Sequence, residues 1–92
     1  MNIKFDNGDE TYDADRGVVV FHGRSERGDH IFGCSKEALM DLVRISEASS
    51  DQLLEIFRAN NRRIHSLARA KLVAGAIEDG GMCLVKTLDL NR

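Results

Sequence analysis

Ninety-two residues leave room for one core, and 42% apolar with 30% charged residues describes a globular chain, not a disordered one. A net charge of −2 supplies no global field toward nucleic acid or an anionic membrane. Apolar runs such as Val18–Phe21 stop at four residues, against the roughly 20 that span a bilayer, and two cysteines make no disulfide framework.

In chain order, Ile3 to Phe5 reads as a short strand ended by Asp6-Asn7-Gly8, which has turn chemistry. Asp9 to Arg16 is polar and predicts a loop anchored by Tyr12, so residues 1–16 are expected to be partly loop. The β-branched and aromatic run Val18 to His22 predicts a strand. Ser25-Glu26-Arg27-Gly28 turns it back, and His30 to Cys34 is its partner. With an even-length loop, Val19 and Phe21 share a face with Phe32 and Cys34, which is the expected core side. Val18, Val20, His22 and Ile31 take the other face. That face is too apolar to be plainly solvated, and cover by another element or a second subunit is expected.

Ser35 is placed to cap a first helix, with Glu37 in its first turn and Leu39, Leu42 and Val43 at helical spacing as far as about Glu47. Ala48-Ser49-Ser50 breaks it. Ser49 with Gln52 fits a capping box that starts a second helix, predicted to run unbroken from Ser50 to Ala74 with Gly75 as its C-terminal stop. Leu53, Phe57, Ile64 and Leu67 form its apolar face. Such a helix would be about 37 Å long. A domain of this size is roughly 32 Å across, so an overhanging or bent helix is expected. Ala76-Ile77, a turn at Asp79-Gly80-Gly81 and Met82 to Leu88 predict a closing hairpin. The fold class is therefore α+β: one domain over residues 1–92, with a small antiparallel sheet of N-terminal and C-terminal hairpins packed by two helices on one face.

Several features together resemble the small bacterial domain-of-unknown-function family 1488. They are the valine-rich strand, Cys34-Ser35 followed by Glu37-Ala38-Leu39, and the long helix with Phe57, Asn60, Arg63, Ile64, Ala68 and Lys71. Asp79-Gly80 and Thr87-Leu88-Asp89 complete the pattern, which covers the chain from about Tyr12 onward. The resemblance implies a compact α+β fold and a bacterial cytoplasmic origin, and it brings no catalytic or binding residues with it. The start Met1-Asn2-Ile3-Lys4 leads into acidic residues and not an apolar run, which also fits a cytoplasmic chain with reduced thiols.

Charge is uneven. Residues 1–30 carry seven acids against four bases, whereas residues 49–75 carry Arg58, Arg62, Arg63, Arg69 and Lys71 against Asp51 and Glu55. Arg58, Arg62, His65 and Arg69 lie within about 60° of one another on a helical wheel and form the candidate interaction surface. Phosphate backbone could use such a stripe, but no aromatic interleaves it and the chain is acidic overall. A solvated helix face is the plainer expectation. Asn60 and Lys71 fall near the centre of the apolar face and are candidate structural polar groups. Asn60 is expected to bond sheet or loop backbone, and Lys71 to extend past the sheet toward water.

No catalytic, cofactor or metal set emerges. His22, His30, Cys34, His65 and Cys83 lack the paired spacing of a zinc site, the acidic N-terminal stretch lacks the calcium-loop pattern, and Gly23 to Gly28 is no phosphate loop. Cys34 precedes a helix cap, yet strand parity puts it in the core, where a thiol is inert. The expected role is a non-enzymatic protein-interaction module, with a protein partner or a homodimer favoured. The alternative is a nucleic-acid accessory protein using the arginine stripe. No membrane, cofactor or small-molecule substrate is expected.

Overall fold

The valine run begins strand β3 (Val18–Ser25), which reverses at Glu26-Arg27 into β4 (Gly28–Ser35). This two-residue connection sets an antiparallel register that pairs Val19 with Cys34 and Phe21 with Phe32. All four side chains are at most 1% exposed, so the expected core face is the observed one. The computed structural model describes residues 2–6, 8–76 and 81–90.

Two short strands share the far edge of β3. The first, β1 (Lys4–Phe5), pairs with Gly23 and Arg24, and β2 (Thr11–Asp13) pairs with Val18 to Val20. The stretch read as a loop therefore contains a strand. Its three residues include Thr11 and Asp13, which face away from the core, and a segment so short and polar carries little strand signature. At the opposite edge β5 (Cys83–Val85) runs parallel to β4, placing Cys83 beside Phe32 and Val85 beside Cys34. The fold class is α+β as expected, but the sheet is mixed, in the order β1-β3-β4-β5 with β2 also on β3. The predicted C-terminal hairpin is corrected in part. Ala76 is in no strand, and Met82 to Leu88 divides into β5 and a final turn, α4 (Thr87–Leu90). Residues 77–80 lie outside the described residues.

Helix α1 (Lys36–Val43) starts where Ser35 Oγ accepts the Ala38 amide proton at 3.2 Å. It stops earlier than expected, because Arg44 adopts a left-handed conformation, φ 56°, that usually falls to glycine or asparagine. Helix α2 (Ser50–Ala59) carries the full capping box: Ser49 Oγ accepts from the Gln52 amide and Gln52 Oε1 from the Ser49 amide. The single long helix is not observed. Asn60, at φ −119° and ψ 16°, separates α2 from α3 (Asn61–Val73). Asn60-Asn61 are weak helix formers, and the Asn60 side chain bonds back to the Ile56 carbonyl at 2.9 Å, competing with the ladder. The break divides the rod, so α2 packs over β2 and β3 while α3 lies on β5. Gly75 ends α3 as expected: its φ of 74° lets its own amide reach Leu72 O and that of Ala76 reach Lys71 O, the paired bonds of a Schellman motif.

Leu53 and Phe57 of α2, Ile64 and Ala68 of α3, and Ala38 and Leu39 of α1 all close on the inner face of the sheet. Phe21 is central, with Phe32 at 5.3 Å and Phe57 at 4.9 Å between ring centroids. Phe5 joins from β1, 5.2 Å from Phe32. It can approach because β3 has no side chain at Gly23. A Cβ there would meet Ile3 Cγ2 at 2.9 Å and the rings of Phe5 and Phe32 at 3.2 Å. Gly23→Ala is thus expected to lift β1 off the sheet and cost about 1–3 kcal/mol, read as a lower urea midpoint.

Candidate functional site

The polar face of α2 and α3 carries the predicted arginine stripe, and most of it is engaged within the fold. Arg58 Nε donates to Glu10 Oε1 at 2.6 Å. The carboxylate side is only 6% exposed, whereas the Arg58 side chain is 55% exposed. Burial pushes the Glu10 carboxyl up, but the Arg58 hydrogen bond and charge, with backbone amides, outweigh it and hold the group below its ordinary value. His65 lies flat on the Phe5 ring, 4.1 Å between centroids and 6° from parallel. Burial lowers its pKa; Glu10 opposes this and the Arg69 charge adds to it. Arg69 donates to the Ile3 carbonyl at 3.4 Å and sits 5.9 Å above the Phe5 ring. Arg62 alone of the four makes no hydrogen bond, ion pair or ring contact among the described residues.

Arg58, His65 and Arg69 therefore fasten the N-terminal residues Ile3, Phe5 and Glu10 to the helices. Sequence reasoning placed Glu10 in a solvated loop. The missed signal was parity: Glu10 is two residues before Tyr12, which points toward the helices. The two candidate structural groups have separate partners. Asn60 bonds helix backbone instead of sheet or loop. Lys71 does not extend to water: its Nζ is 2.8 Å from Asp89 Oδ2, with both side chains about four-fifths buried (20% and 19% exposed). Asp89 also accepts from the Lys86 amide, so one carboxylate both starts α4 and holds it to α3. Arg63 adds a bond from Nη2 to the Leu90 carbonyl.

Both cysteines are buried. Burial, followed by the charge of Asp89, pushes the Cys34 thiol up to about 12, leaving almost no thiolate near neutrality. The cap of α1 at Ser35 does not offset this. His30 Nε2 bonds Ser25 Oγ at 2.7 Å at the hairpin end, and His22 Nδ1 bonds Asp9 Oδ2 at 2.9 Å on the outer face. Among the described residues no three His, Cys, Asp or Glu side chains converge as a metal site. Nor is any described helix long and apolar enough to cross a membrane.

The outer face of the sheet is the other notable surface. Val20 and His22 of β3, Ile31 of β4 and Leu84 of β5 lie on it, and the helices named above all close on the inner side. Ile31 is 48% exposed, Val20 and Leu84 are half-buried, and Val18 and Met82 are buried at its margins.

The family model for a protein of unknown function (DUF1488) matches residues 3–85. A crystal structure of a protein of unknown function from that family, from Shewanella loihica PV-4, superposes with a TM-score of 0.82 at 21% identity. It covers 92% of this chain and 94% of its own. No curated protein matches.

Arg58→Ala leaves Glu10 buried without its cation and is expected to cost about 1–2 kcal/mol, solvent access through the vacated space reducing the full penalty. Arg62→Ala should stay within about 0.5 kcal/mol; urea unfolding of the two variants checks the contrast. His65 and Glu10 also set a pH dependence. Each releases its proton more readily in the fold than in the unfolded chain. The His65 contribution is thus complete above pH 6.5 and lost as pH falls below it; that of Glu10 is complete above 4.5 and lost below. Stability measured from pH 8 to pH 4 should fall toward acid, and His65→Gln should flatten the decline near pH 6.

Proposed function

The chain belongs to the DUF1488 family, and we propose that it acts without catalysis, as a protein-interaction module that self-associates through the outer face of its sheet. The observation that supports this reading is Ile31, 48% exposed opposite His22, beside the row in which Val20 and Leu84 lie on either side of Gly33, with no described helix over it. A second copy is the occupant that fits the charges. Bases on or beside that face have acids close by: His22 bonds Asp9, and Arg24 bonds Asp29 with Asp6 near it. With each base beside an acid, the face presents no positive block to its own copy, which limits like-charge repulsion. Thiol chemistry is disfavoured by the burial of Cys34 and its raised pKa. A phosphate-binding role is disfavoured because Arg58, His65 and Arg69 are committed to Glu10, Phe5 and Ile3.

Sedimentation velocity from about 10 µM to 1 mM, a range that spans weak self-association, is expected to show a monomer–dimer equilibrium. Ile31→Glu, at an exposed position, should shift it to monomer without lowering the melting temperature. A strict monomer across that range would end the self-association reading.

A further inference from the structure

On the helix side of the sheet, away from that face, α1, the α1–α2 connection and β2 enclose an open cleft of about 650 Å³. Small-ligand sites begin near 300 Å³, so the space suffices for a compact molecule. Its lining is mixed in charge. Lys36 and Glu47 both line it, and they do not pair with each other or with any other described residue. Tyr12, half-buried beside them, also has no hydrogen-bond partner for its hydroxyl among the described residues. Ser49 Oγ and Gln52 Oε1 each already accept a backbone amide proton in the capping box of α2.

Lys36 is held in place. Its amide donates to the Gly17 carbonyl at 2.9 Å, and the carbons of its stem lie 3.6–3.9 Å from where a side chain would begin at Gly17. The stem therefore lies along the turn that leads into β3, and less side-chain entropy is lost when its ammonium gains a partner. Met40 and Ala48 give the cleft an apolar wall. A cation and an anion that share one cleft without meeting are suited to a ligand carrying the complementary pair.

We propose that this cleft binds a small zwitterion bearing one carboxylate and one ammonium, a free α-amino acid being the simplest member. Lys36 and the Tyr12 hydroxyl hold the carboxylate, Glu47 holds the ammonium, and the ligand side chain rests on Met40 and Ala48. Both contacts are charge-assisted, and both are needed because neither alone offsets desolvation at an open site.

The test is a proton–nitrogen correlation NMR titration of the full chain with the standard amino acids, each beside its N-acetyl and C-amide derivatives. The expected result is saturable shifts confined to residues around 12, 36, 40 and 46–49 for at least one free amino acid. Affinity should fall about tenfold or more in both blocked forms and in Lys36→Met and Glu47→Gln. The same spectra report whether each variant is folded, and Met retains most of the lysine stem over Gly17. Three results overturn the proposal: no saturable shift up to about 20 mM, blocked forms that bind as well as the free amino acid, or shifts that persist in both variants.

Discussion

Register between β3 and β4 is the constraint on which the rest of the molecule depends. With side chains alternating at period two, a slip of one residue would put Phe32 and Cys34 on the face opposite to Val19 and Phe21. Phe57 and Ile64 would then close on only half of the present apolar set. The inner set contains two of the four phenylalanines of the chain, and a buried aromatic of this size contributes about 2–3 kcal/mol. The two-residue connection at Glu26-Arg27 thus decides which residues of the two strands share the core face. Parallel strand β5 extends that face and does not define it, since Cys83 and Val85 add to a surface β4 has already set.

A second layer of order follows from the first. Strand β1 has two residues, too few to hold its position by ladder bonds alone. It is retained because Gly23 leaves a gap for Phe5 and Ile3 and because the helices reach over it with polar groups. His65 supplies a flat ring for Phe5, Arg69 a donor for Ile3, and Arg58 a cation for Glu10. The same arginines that look like a binding surface on a helical wheel thereby become fasteners. A wheel shows which side chains share a face, but not whether a distant part of the chain comes back to meet that face.

What could be read from the residues divides along the same line. The β3–β4 hairpin, the burial of Leu53, Phe57 and Ile64, the caps at Ser35 and Ser49 and the stop at Gly75 are local patterns, each carried by a few neighbouring residues. Strand β2 was not legible because an edge strand of three residues needs only one inward side chain, Tyr12. The break at Asn60 had a sequence signal in Asn60-Asn61, outweighed by continuous apolar spacing on both sides. The direction of β5 was not legible at all. Cys83-Leu84-Val85 is compatible with either direction, and only pairing with β4 decides it. Neither the Lys71–Asp89 pair nor the Arg58–Glu10 pair is visible locally, since their members are 18 and 48 residues apart.

This division also narrows where recognition can occur. The inner sheet face is sealed, both thiols lie beneath it, and three of the four stripe residues are committed to the N-terminal strands. A partner or ligand has to use groups that folding has left unspent, and two proposed sets lie on opposite sides of the sheet. One is apolar, Ile31 with Val20 and Leu84, and it gains from excluding water over a broad area. The other is ionic, Lys36 and Glu47, and it gains from neutralising two separate charges within a small volume. These differ in what they can select. An apolar sheet face discriminates by shape and area and tolerates varied partners, whereas two opposite charges in one cleft discriminate by the complementary pair a ligand carries. The cleft is formed by α1, the α1–α2 connection and β2, and the outer face by β3, β4 and β5. Two links join the surfaces: β2, whose Tyr12 lines the cleft and whose Thr11 is paired with Val20, and the direct run of β4 into α1 at Ser35-Lys36.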